Sequence, residues 1–274
     1  MSCVFCETGT VIHARSGGSG DIPLIIVHGG SGSSRLCEAL TSALLPQFRW
    51  WTVDLPGHGE SSWTPGRYRL DAVGAALAEW AEHEIGGPAW WYGHSYGGQA
   101  TLATAGATPG LFAGLVLGDT PLIPEQMYER LELSTDRMRQ WQQWCGLPED
   151  TLLQLLGDEP FGGRTTAEVL GADHFYLRGM AESLHRHDPS FIAALLDDRD
   201  AVYGSLVQAN RWLAAIPGPV VLFRGDPAVM TMTSDDDVTL IESAGGKVHT
   251  FDGVGHGLHH FAPTAVATAI ADYT

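Results

Sequence analysis

Short apolar runs separated by turn residues recur along the chain. They are rich in β-branched or aromatic residues and lack polar alternation, a pattern typical of strands buried on both faces of a parallel sheet. The six runs are Pro23–His28, Arg49–Leu55, Pro88–Tyr92, Ala113–Gly118, Pro219–Arg224 and Lys247–Phe251. Two shorter runs, 4–5 and 10–14, predict an antiparallel hairpin around Glu7-Thr8-Gly9. Together these runs predict a mostly parallel eight-stranded sheet.

Helical periodicity fills the intervals between these runs. Across 70–85 the apolar residues, among them Val73 and Trp80, recur on one face of a helix with 3.6 residues per turn. Segments 99–107 and 264–273 also predict helices, and the first is rich in small residues that allow close packing on a sheet. We therefore expect an α/β fold with helices on both faces of the sheet.

The alternation of strand and helix stops between about residues 122 and 216, where the sequence becomes helical and rich in polar and aromatic residues. We expect a core formed by 1–121 and 217–274 and an inserted helical cap formed by 122–216. Three tryptophans of this region are candidates for lining a substrate pocket, although a small aromatic core would explain them equally well. They are Trp141, Trp144 and Trp212.

Composition and charge narrow the range of functions. Of the 274 residues, 44% are hydrophobic, which is enough for a buried core, and no apolar run reaches the length of a membrane span. The formal net charge of −17 opposes binding to nucleic acid and to strongly anionic substrates. The first residues lack a basic segment followed by an apolar one, so we expect a cytoplasmic location. The sequence carries no signal for the oligomeric state.

Cysteine spacing gives no sign of a metal or redox centre. Cys3 and Cys6 form a C-x-x-C pair, but no second pair follows. Both lie in a predicted strand and not at a strand-to-helix junction. We interpret them as packing thiols and expect no metal site.

The sequence Gly93-His94-Ser95-Tyr96-Gly97 links a predicted buried strand to a predicted helix of small residues. A serine on such a sharp turn projects its hydroxyl into the open, and the two glycines leave room for the turn. The N–H groups at the start of the next helix face any anion that forms near the hydroxyl. A turn without chemistry is the simpler interpretation, but the strand before it and the helix after it favour Ser95 as a nucleophile.

With this motif the chain resembles the α/β-hydrolase family over essentially its whole length, because further motifs follow in that family's order. His28-Gly29-Gly30-Ser31-Gly32, after the third predicted strand, is similar to the family loop that supplies one backbone N–H of an oxyanion hole. The resemblance implies that Gly30 donates this N–H, with Ser31 as the alternative, and that Tyr96 donates the other. Asp54-Leu55-Pro56-Gly57-His58 is similar to a turn whose usual role in the family is structural.

Gly253-Val254-Gly255-His256-Gly257 follows the last predicted strand and is similar to the family segment that carries the catalytic histidine. The resemblance implies that His256 is the general base. His259 and His260, a few residues further on, are interpreted as solvent-exposed or structural.

The acid that orients the histidine has two candidates. Family members usually carry an aspartate a few residues after the glycine that ends strand seven, but that position holds Ala228 here. Asp226 is adjacent to the glycine, which is early for contact with His256. Some members, among them haloalkane dehalogenases and some lactone hydrolases, carry the acid after strand six, where this chain has Asp119. We predict Asp119 as the acid and keep Asp226 as the alternative.

The resemblance implies an α/β-hydrolase fold and a serine hydrolase that cleaves a carboxylic ester or lactone of a hydrophobic small molecule through an acyl-enzyme. It implies no cofactor and no metal. A serine nucleophile argues against dehalogenase and epoxide-hydrolase chemistry, for which the family uses aspartate. Three alternatives stay open, namely a proline-iminopeptidase-like aminopeptidase, a C–C hydrolase or lyase, and a ligand receptor with slow turnover.

Overall fold

The structure, a computed structural model, describes residues 2–6 and 9–274, so Glu7 and Thr8 of the predicted hairpin turn lie outside the described residues. Its strands are β1 (Ser2–Phe5), β2 (Val11–Gly18), β3 (Ile22–Val27), β4 (Phe48–Val53), β5 (Ala89–His94), β6 (Phe112–Gly118), β7 (Pro160–Phe161), β8 (Arg164–Thr165), β9 (Val220–Gly225) and β10 (Lys247–Phe251). One sheet has the order β1-β2-β4-β3-β5-β6-β9-β10, and β7 with β8 forms a separate short hairpin. β2 is antiparallel to β1 and β4, and the remaining neighbours are parallel. The predicted eight-stranded, mostly parallel sheet is confirmed.

Helices cover both faces of this sheet, as the sequence predicts. They are α1 (Glu38–Ala43), α2 (Leu70–Glu84), α3 (Tyr96–Ala107), α4 (Pro124–Glu132), α5 (Thr135–Trp144), α6 (Glu149–Asp158), α7 (Thr166–Leu170), α8 (Phe175–His185), α9 (Pro189–Asp197), α10 (Asp200–Tyr203), α11 (Ala209–Ala215), α12 (Asp235–Ser243), α13 (Leu258–Phe261) and α14 (Pro263–Tyr273). α2, α3 and α11 pack on one face, and α1 and α14 pack on the other. Among the described residues, no helix combines the length and the apolar character that a membrane span requires.

The central strands are buried because their side chains point alternately into two hydrophobic layers. In β5, Trp91 joins the layer beneath α2 and α3, whereas Trp90 and Tyr92 join the layer beneath α1 and α14. Burial on both faces explains why the run of apolar residues is continuous. It also anchors the carboxyl end of β5, where the candidate nucleophile follows.

The helical region between β6 and β9 sits on the loop after β3. Its helices α6 and α8 form a small hydrophobic core together with Leu36 of that loop. Gly179 of α8 approaches so closely that an added Cβ would lie 2.7 Å from Leu36 Cδ2. A hydrogen bond of 2.8 Å between the hydroxyls of Ser33 and Ser183 reinforces the contact. The helical region therefore supports the loop in which the sequence predicts an oxyanion donor.

The last helix of this region, α11, packs on the sheet layer. Its Trp212 is buried, and an added Cβ on Gly106 of α3 would lie 2.1 Å from the indole. One of the three candidate pocket tryptophans thus lies in the hydrophobic core between α3 and α11.

Candidate active site

Ser95 lies at the turn between β5 and α3. Its backbone has φ 52° and ψ −122°, a conformation that residues other than glycine rarely adopt and that costs about 1–3 kcal/mol. The Ser95 N–H donates to the Gly118 carbonyl of β6 over 2.8 Å, which holds the turn in position. In the described part of the chain no hydrogen bond involves the Ser95 hydroxyl, and the residue is half-buried, so the hydroxyl is open to an incoming group.

Close packing requires the glycines on either side of Ser95. An added Cβ on Gly97 would lie 2.1 Å from the carbonyl oxygen of His28, and one on Gly93 would lie 2.6 Å from Gly98 Cα. The start of α3 can therefore approach β3 and β5 only with glycine at both positions.

Positive backbone φ angles mark the same region. Among the described non-glycine residues, only Ser31 (60°), Ser95 (52°) and Asp119 (44°) have a positive φ. They follow the carboxyl ends of β3, β5 and β6, which meet at one edge of the sheet. Such strain concentrates at functional sites. All three residues are sequence candidates, so the strain singles out the same edge as the motifs.

His256 lies in the loop after β10 and forms a hydrogen bond with Asp119. Its Nδ1 lies 2.6 Å from Asp119 Oδ2. An ionised carboxylate only accepts hydrogen bonds, so Nδ1 carries the proton and Nε2 presents a lone pair. The imidazole is 22% exposed and the carboxylate is fully buried. An incoming group can therefore reach the ring but not the acid.

Asp119 accepts hydrogen bonds from four further groups. The Gly225 N–H donates to Oδ1 over 3.0 Å, and the Met232 N–H donates to Oδ2 over 2.7 Å. The hydroxyls of Thr231 and Thr233 also donate to Oδ1. Burial alone would raise the pKa of this carboxyl, but the imidazole and the other donors outweigh burial and hold the pKa well below its usual value. Asp119 therefore stays ionised and can stabilise a protonated imidazole.

The alternative acid, Asp226, makes different contacts. Its Oδ2 accepts from the Gly253 N–H over 2.7 Å, and its Oδ1 accepts from the Ala228 N–H over 2.8 Å. These two backbone donors lower the pKa of Asp226. Among the described residues no hydrogen bond joins Asp226 to His256, so the structure brings Asp119 to the imidazole and uses Asp226 to tie two loops together.

The two predicted oxyanion donors lie side by side. An added Cβ on Gly30 would lie 3.6 Å from Tyr96 Cβ, an ordinary contact distance. Tyr96 is the first residue of α3, where a backbone N–H has no partner within the helix. The N–H of the alternative donor, Ser31, instead donates to His58 Nε2 over 3.3 Å. The Ser31 N–H is therefore already bonded, and Gly30 is the candidate donor that contacts the start of α3.

Three buried histidines next to this loop, His28, His58 and His187, form what we term the loop cluster. The His58 ring lies 5.1 Å from the His28 ring and 4.4 Å from the His187 ring, measured between centroids. Burial lowers the pKa of all three side chains, to about 4 for His187. They are therefore neutral near pH 7, and His58 can accept the hydrogen bond from the loop.

Three other buried histidines, His94, His259 and His260, lie beside the candidate base and form what we term the base cluster. His94 Nε2 donates to the His256 carbonyl over 2.8 Å. His259 and His260, interpreted from the sequence as either solvent-exposed or structural, are buried, because α13 packs against α1 and α14 and leaves them 0% and 8% exposed. Burial lowers the pKa of all three members, to about 3 for His260.

The remaining candidate tryptophans lie in the helical region between β6 and β9. Trp141 Nε1–H donates to Glu159 Oε1 over 2.9 Å. Trp144 packs against the small hydrophobic core of α6 and α8. A role for either in a substrate pocket stays a prediction.

Sequence reasoning missed the residues that hold the candidate acid and the candidate base. Thr231 and Thr233 are two positions apart, which puts both hydroxyls on one side of an extended segment, but many surface loops share that spacing. The contact between His94 and His256 spans 162 residues of sequence, and no local pattern signals it.

Residues 24–269 match the family model described as the alpha/beta hydrolase family. The chain is similar to lipase LipV of Mycobacterium tuberculosis, with 35% identity over 105 residues, which are 38% of this chain and 40% of the lipase. It is also similar to the pimeloyl-(acyl-carrier protein) methyl ester esterase of Methylococcus capsulatus, with 27% identity over 175 residues, which are 63% of this chain and 64% of the esterase. The chain thus spans less than two thirds of the length of either relative.

A solved structure extends the likeness to the whole fold. The crystal structure of E-2-(acetamidomethylene)succinate hydrolase superposes with a TM-score of 0.77 at 19% identity, and the match covers 99% of this chain and 97% of that one. At this identity the likeness concerns the fold alone.

Proposed function

The chain belongs to the alpha/beta hydrolase family, and we propose that it is a serine hydrolase that cleaves a carboxylic ester or lactone of a hydrophobic small molecule through an acyl-enzyme. One observation carries the proposal. The buried Asp119 carboxylate holds His256 at 2.6 Å, beside the strained turn of Ser95. The His256 ring lies 4.6 Å, between centroids, from the ring of His94, the residue that precedes the serine. Similarity to a lipase and to a methyl ester esterase supports an ester as the substrate class.

In the proposed reaction, His256 Nε2 accepts the hydroxyl proton of Ser95 while Ser95 Oγ attacks the carbonyl carbon of the substrate. The tetrahedral intermediate then expels the alkoxide, which takes the proton from His256, and the acyl group stays on Ser95. Water, activated by His256, repeats the attack and releases the carboxylic acid. Asp119 keeps Nδ1 protonated and stabilises the imidazolium during each transfer.

The negative oxygen of the intermediate is stabilised by the backbone N–H groups of Gly30 and Tyr96. The loss of one such donor typically costs about 2.7–4 kcal/mol in the transition state. Support for this role comes from the contact between Gly30 and the start of α3 and from the N–H of Ser31, which is already bonded to His58.

A neutral or cationic substrate with an apolar body fits the surroundings of the base. Exposed apolar side chains flank the His256 loop, because Val229 and Met230 contact Gly255 and Phe261 contacts Gly257. The net charge of −17 repels strongly anionic substrates.

The helical region from α4 to α10 is the part of the chain that we propose as the cap. Its packing on Leu36 supports a role next to the oxyanion loop. α11 packs on α3 through Trp212, which favours a boundary before Ala209 in place of the one expected at 216.

The test is a series of p-nitrophenyl esters with increasing acyl length, assayed with the wild type and with Ser95→Ala. We expect multiple turnovers that disappear in Ser95→Ala, and the preferred acyl length then reports the size of the pocket. Ser243→Ala, a substitution at an exposed serine at the end of α12, is the matched control and should keep full activity. A single burst without turnover would favour the slow receptor, and cleavage of proline anilides but not of esters would favour the aminopeptidase.

A further inference from the structure

The base cluster brings three buried imidazoles together behind the candidate base. One ring nitrogen from each of His94, His259 and His260 lies within 4.8 Å of the other two. We propose that these three histidines form a binding site for a divalent transition metal, with Zn²⁺ as the expected occupant.

One nitrogen of each ring is already held by a hydrogen bond. His94 Nε2 donates to the carbonyl of His256 over 2.8 Å, and His259 Nδ1 is 3.2 Å from the hydroxyl of Tyr92. The His260 ring bonds to the backbone of Leu36. Histidines that ligate metals nearly always have their second nitrogen held in this way, by a carbonyl, a carboxylate or another fixed group. All three rings of the base cluster meet this condition.

The other nitrogen of each ring has no partner among the described residues. These atoms are His94 Nδ1, His259 Nε2 and His260 Nδ1, and all three are buried. Because the His94 Nε2–H donates to a carbonyl, its Nδ1 presents a lone pair in the neutral ring. Buried polar atoms are nearly always satisfied, so each of these nitrogens needs a partner, and His259 Nε2 offers a lone pair when its Nδ1–H donates to the Tyr92 hydroxyl.

The donor set fits a zinc-class ion. Imidazole nitrogens suit Zn²⁺, Cu²⁺ and Ni²⁺, and three histidines with one open position form a familiar tetrahedral zinc site. Ligation requires neutral histidine, and burial keeps these rings uncharged. Of the three residues His260 is the most exposed, at 8%, so an ion would enter from its side of the cluster.

A metal at this position would fasten α13 to the end of β5. Since the loop that carries His256 directly precedes α13, the ion would hold the candidate base in place without joining the reaction. An ion that binds the folded chain but not the unfolded chain also stabilises the folded chain. Such a site departs from the expectation of no metal. It does not depend on the proposed hydrolysis, because Ser95→Ala should bind the metal as the wild type does.

The protein is first dialysed against EDTA. It is then titrated with Zn²⁺, followed by calorimetry, and in a separate experiment with Co²⁺, followed by visible absorption. We expect one equivalent of metal, the intense visible bands of tetrahedral cobalt, and a higher Tm in the presence of Zn²⁺. Loss of an outer partner typically costs up to about 100-fold in metal affinity. His260→Phe and His259→Gln should each weaken Zn²⁺ binding by at least as much, since each removes a ligand.

The matched control is His187→Asn in the loop cluster. His187 is as deeply buried as His259 and also has an unpartnered Nε2, but its neighbours His28 and His58 have both ring nitrogens bonded. This variant should bind one equivalent of Zn²⁺ with unchanged affinity. Absence of stoichiometric binding to the wild type, or equal binding by folded His260→Phe and His259→Gln, would overturn the proposal and assign the three nitrogens to buried water.

Discussion

The two buried histidine clusters are alike in size and burial and differ in what their ring nitrogens contact. In the loop cluster, His28 bonds to Gly29 and Leu55, and His58 bonds to Pro56 and Ser31, so both nitrogens of these two rings are used and only His187 leaves one nitrogen unpartnered. In the base cluster, each ring leaves one nitrogen unpartnered. Burial alone therefore does not distinguish a histidine whose ring nitrogens are both hydrogen-bonded from one that has an unpartnered nitrogen.

The difference lies in the groups that surround each cluster. Backbone N–H and carbonyl groups of the surrounding turns form hydrogen bonds with the imidazoles of the loop cluster. These bonds also hold the turns in position. The base cluster lies between a strand end and the short helix α13, where one nitrogen of each ring lies within 4.8 Å of one nitrogen of each other ring. The first arrangement holds backbone in place, whereas the second leaves lone pairs that can bind a ligand.

The largest expected effect concerns His256, which belongs to neither cluster. Among these histidines it alone bonds to the buried Asp119 carboxylate. Asp119→Asn should lower kcat by up to about 10⁴-fold, because the amide favours the wrong tautomer of the imidazole. Asp226→Asn is the matched control and should stay within about tenfold of the wild type, since Asp226 bonds only to backbone N–H groups. Ester hydrolysis with both variants, checked for folding by circular dichroism, measures the contrast. The reverse order of effects would assign the acid to Asp226.

The loop cluster should make the folded protein sensitive to acid. Burial lowers the pKa of His187 to about 4, so the unfolded chain takes up a proton near pH 6.5 that the folded chain resists. Stability is therefore fully present above pH 6.5 and falls as the pH drops towards 4, by roughly 3 kcal/mol from this group. Urea unfolding at several pH values measures the slope, and His187→Asn should reduce it. An equally steep slope in that variant would show that other groups control acid unfolding.

The sequence predicted the strands closely, because a continuous apolar run needs only local chemistry to be recognised. β10 was expected at 247–251 and is found there, and β5 differs from expectation mainly by extending to His94. Ser95 and His256 are likewise predicted from local motifs. The partners of Asp119 are not, since Thr231 and Thr233 lie more than a hundred residues away and only the fold brings them together.

Burial was the other property that local pattern did not reveal. His259 and His260 are adjacent polar residues in a helix of four residues, so no periodicity marks an inward face. Trp212 posed the converse problem. An aromatic residue in a helical region fits a pocket and a core equally well until its neighbour, here Gly106, is known.

A smaller effect tests whether the loop cluster keeps the loop of Gly30 and Ser31 in position. His58→Phe removes the acceptor of the Ser31 N–H and should lower the free energy of unfolding by about 1–3 kcal/mol, because that buried donor is left unpaired. It should also lower kcat by about tenfold, since a loop displaced by a fraction of an ångström loses part of its oxyanion contact. His249→Phe, at a half-buried histidine in β10 that packs on Phe223, is the matched control and should change neither quantity. A stability loss without any change in kcat would separate the loop cluster from catalysis.

The smallest expected effect tests how the base cluster is oriented. Tyr92→Phe removes the hydroxyl next to His259 Nδ1 and should weaken Zn²⁺ binding by about tenfold, because loss of such an outer partner typically costs 10–100-fold. Tyr203→Phe removes the hydroxyl of a buried tyrosine that packs on Tyr96, away from the base cluster, and should leave the affinity unchanged. Calorimetric titration of the EDTA-treated variants gives both values. Equal affinities would mean that the hydroxyl of Tyr92 does not position His259.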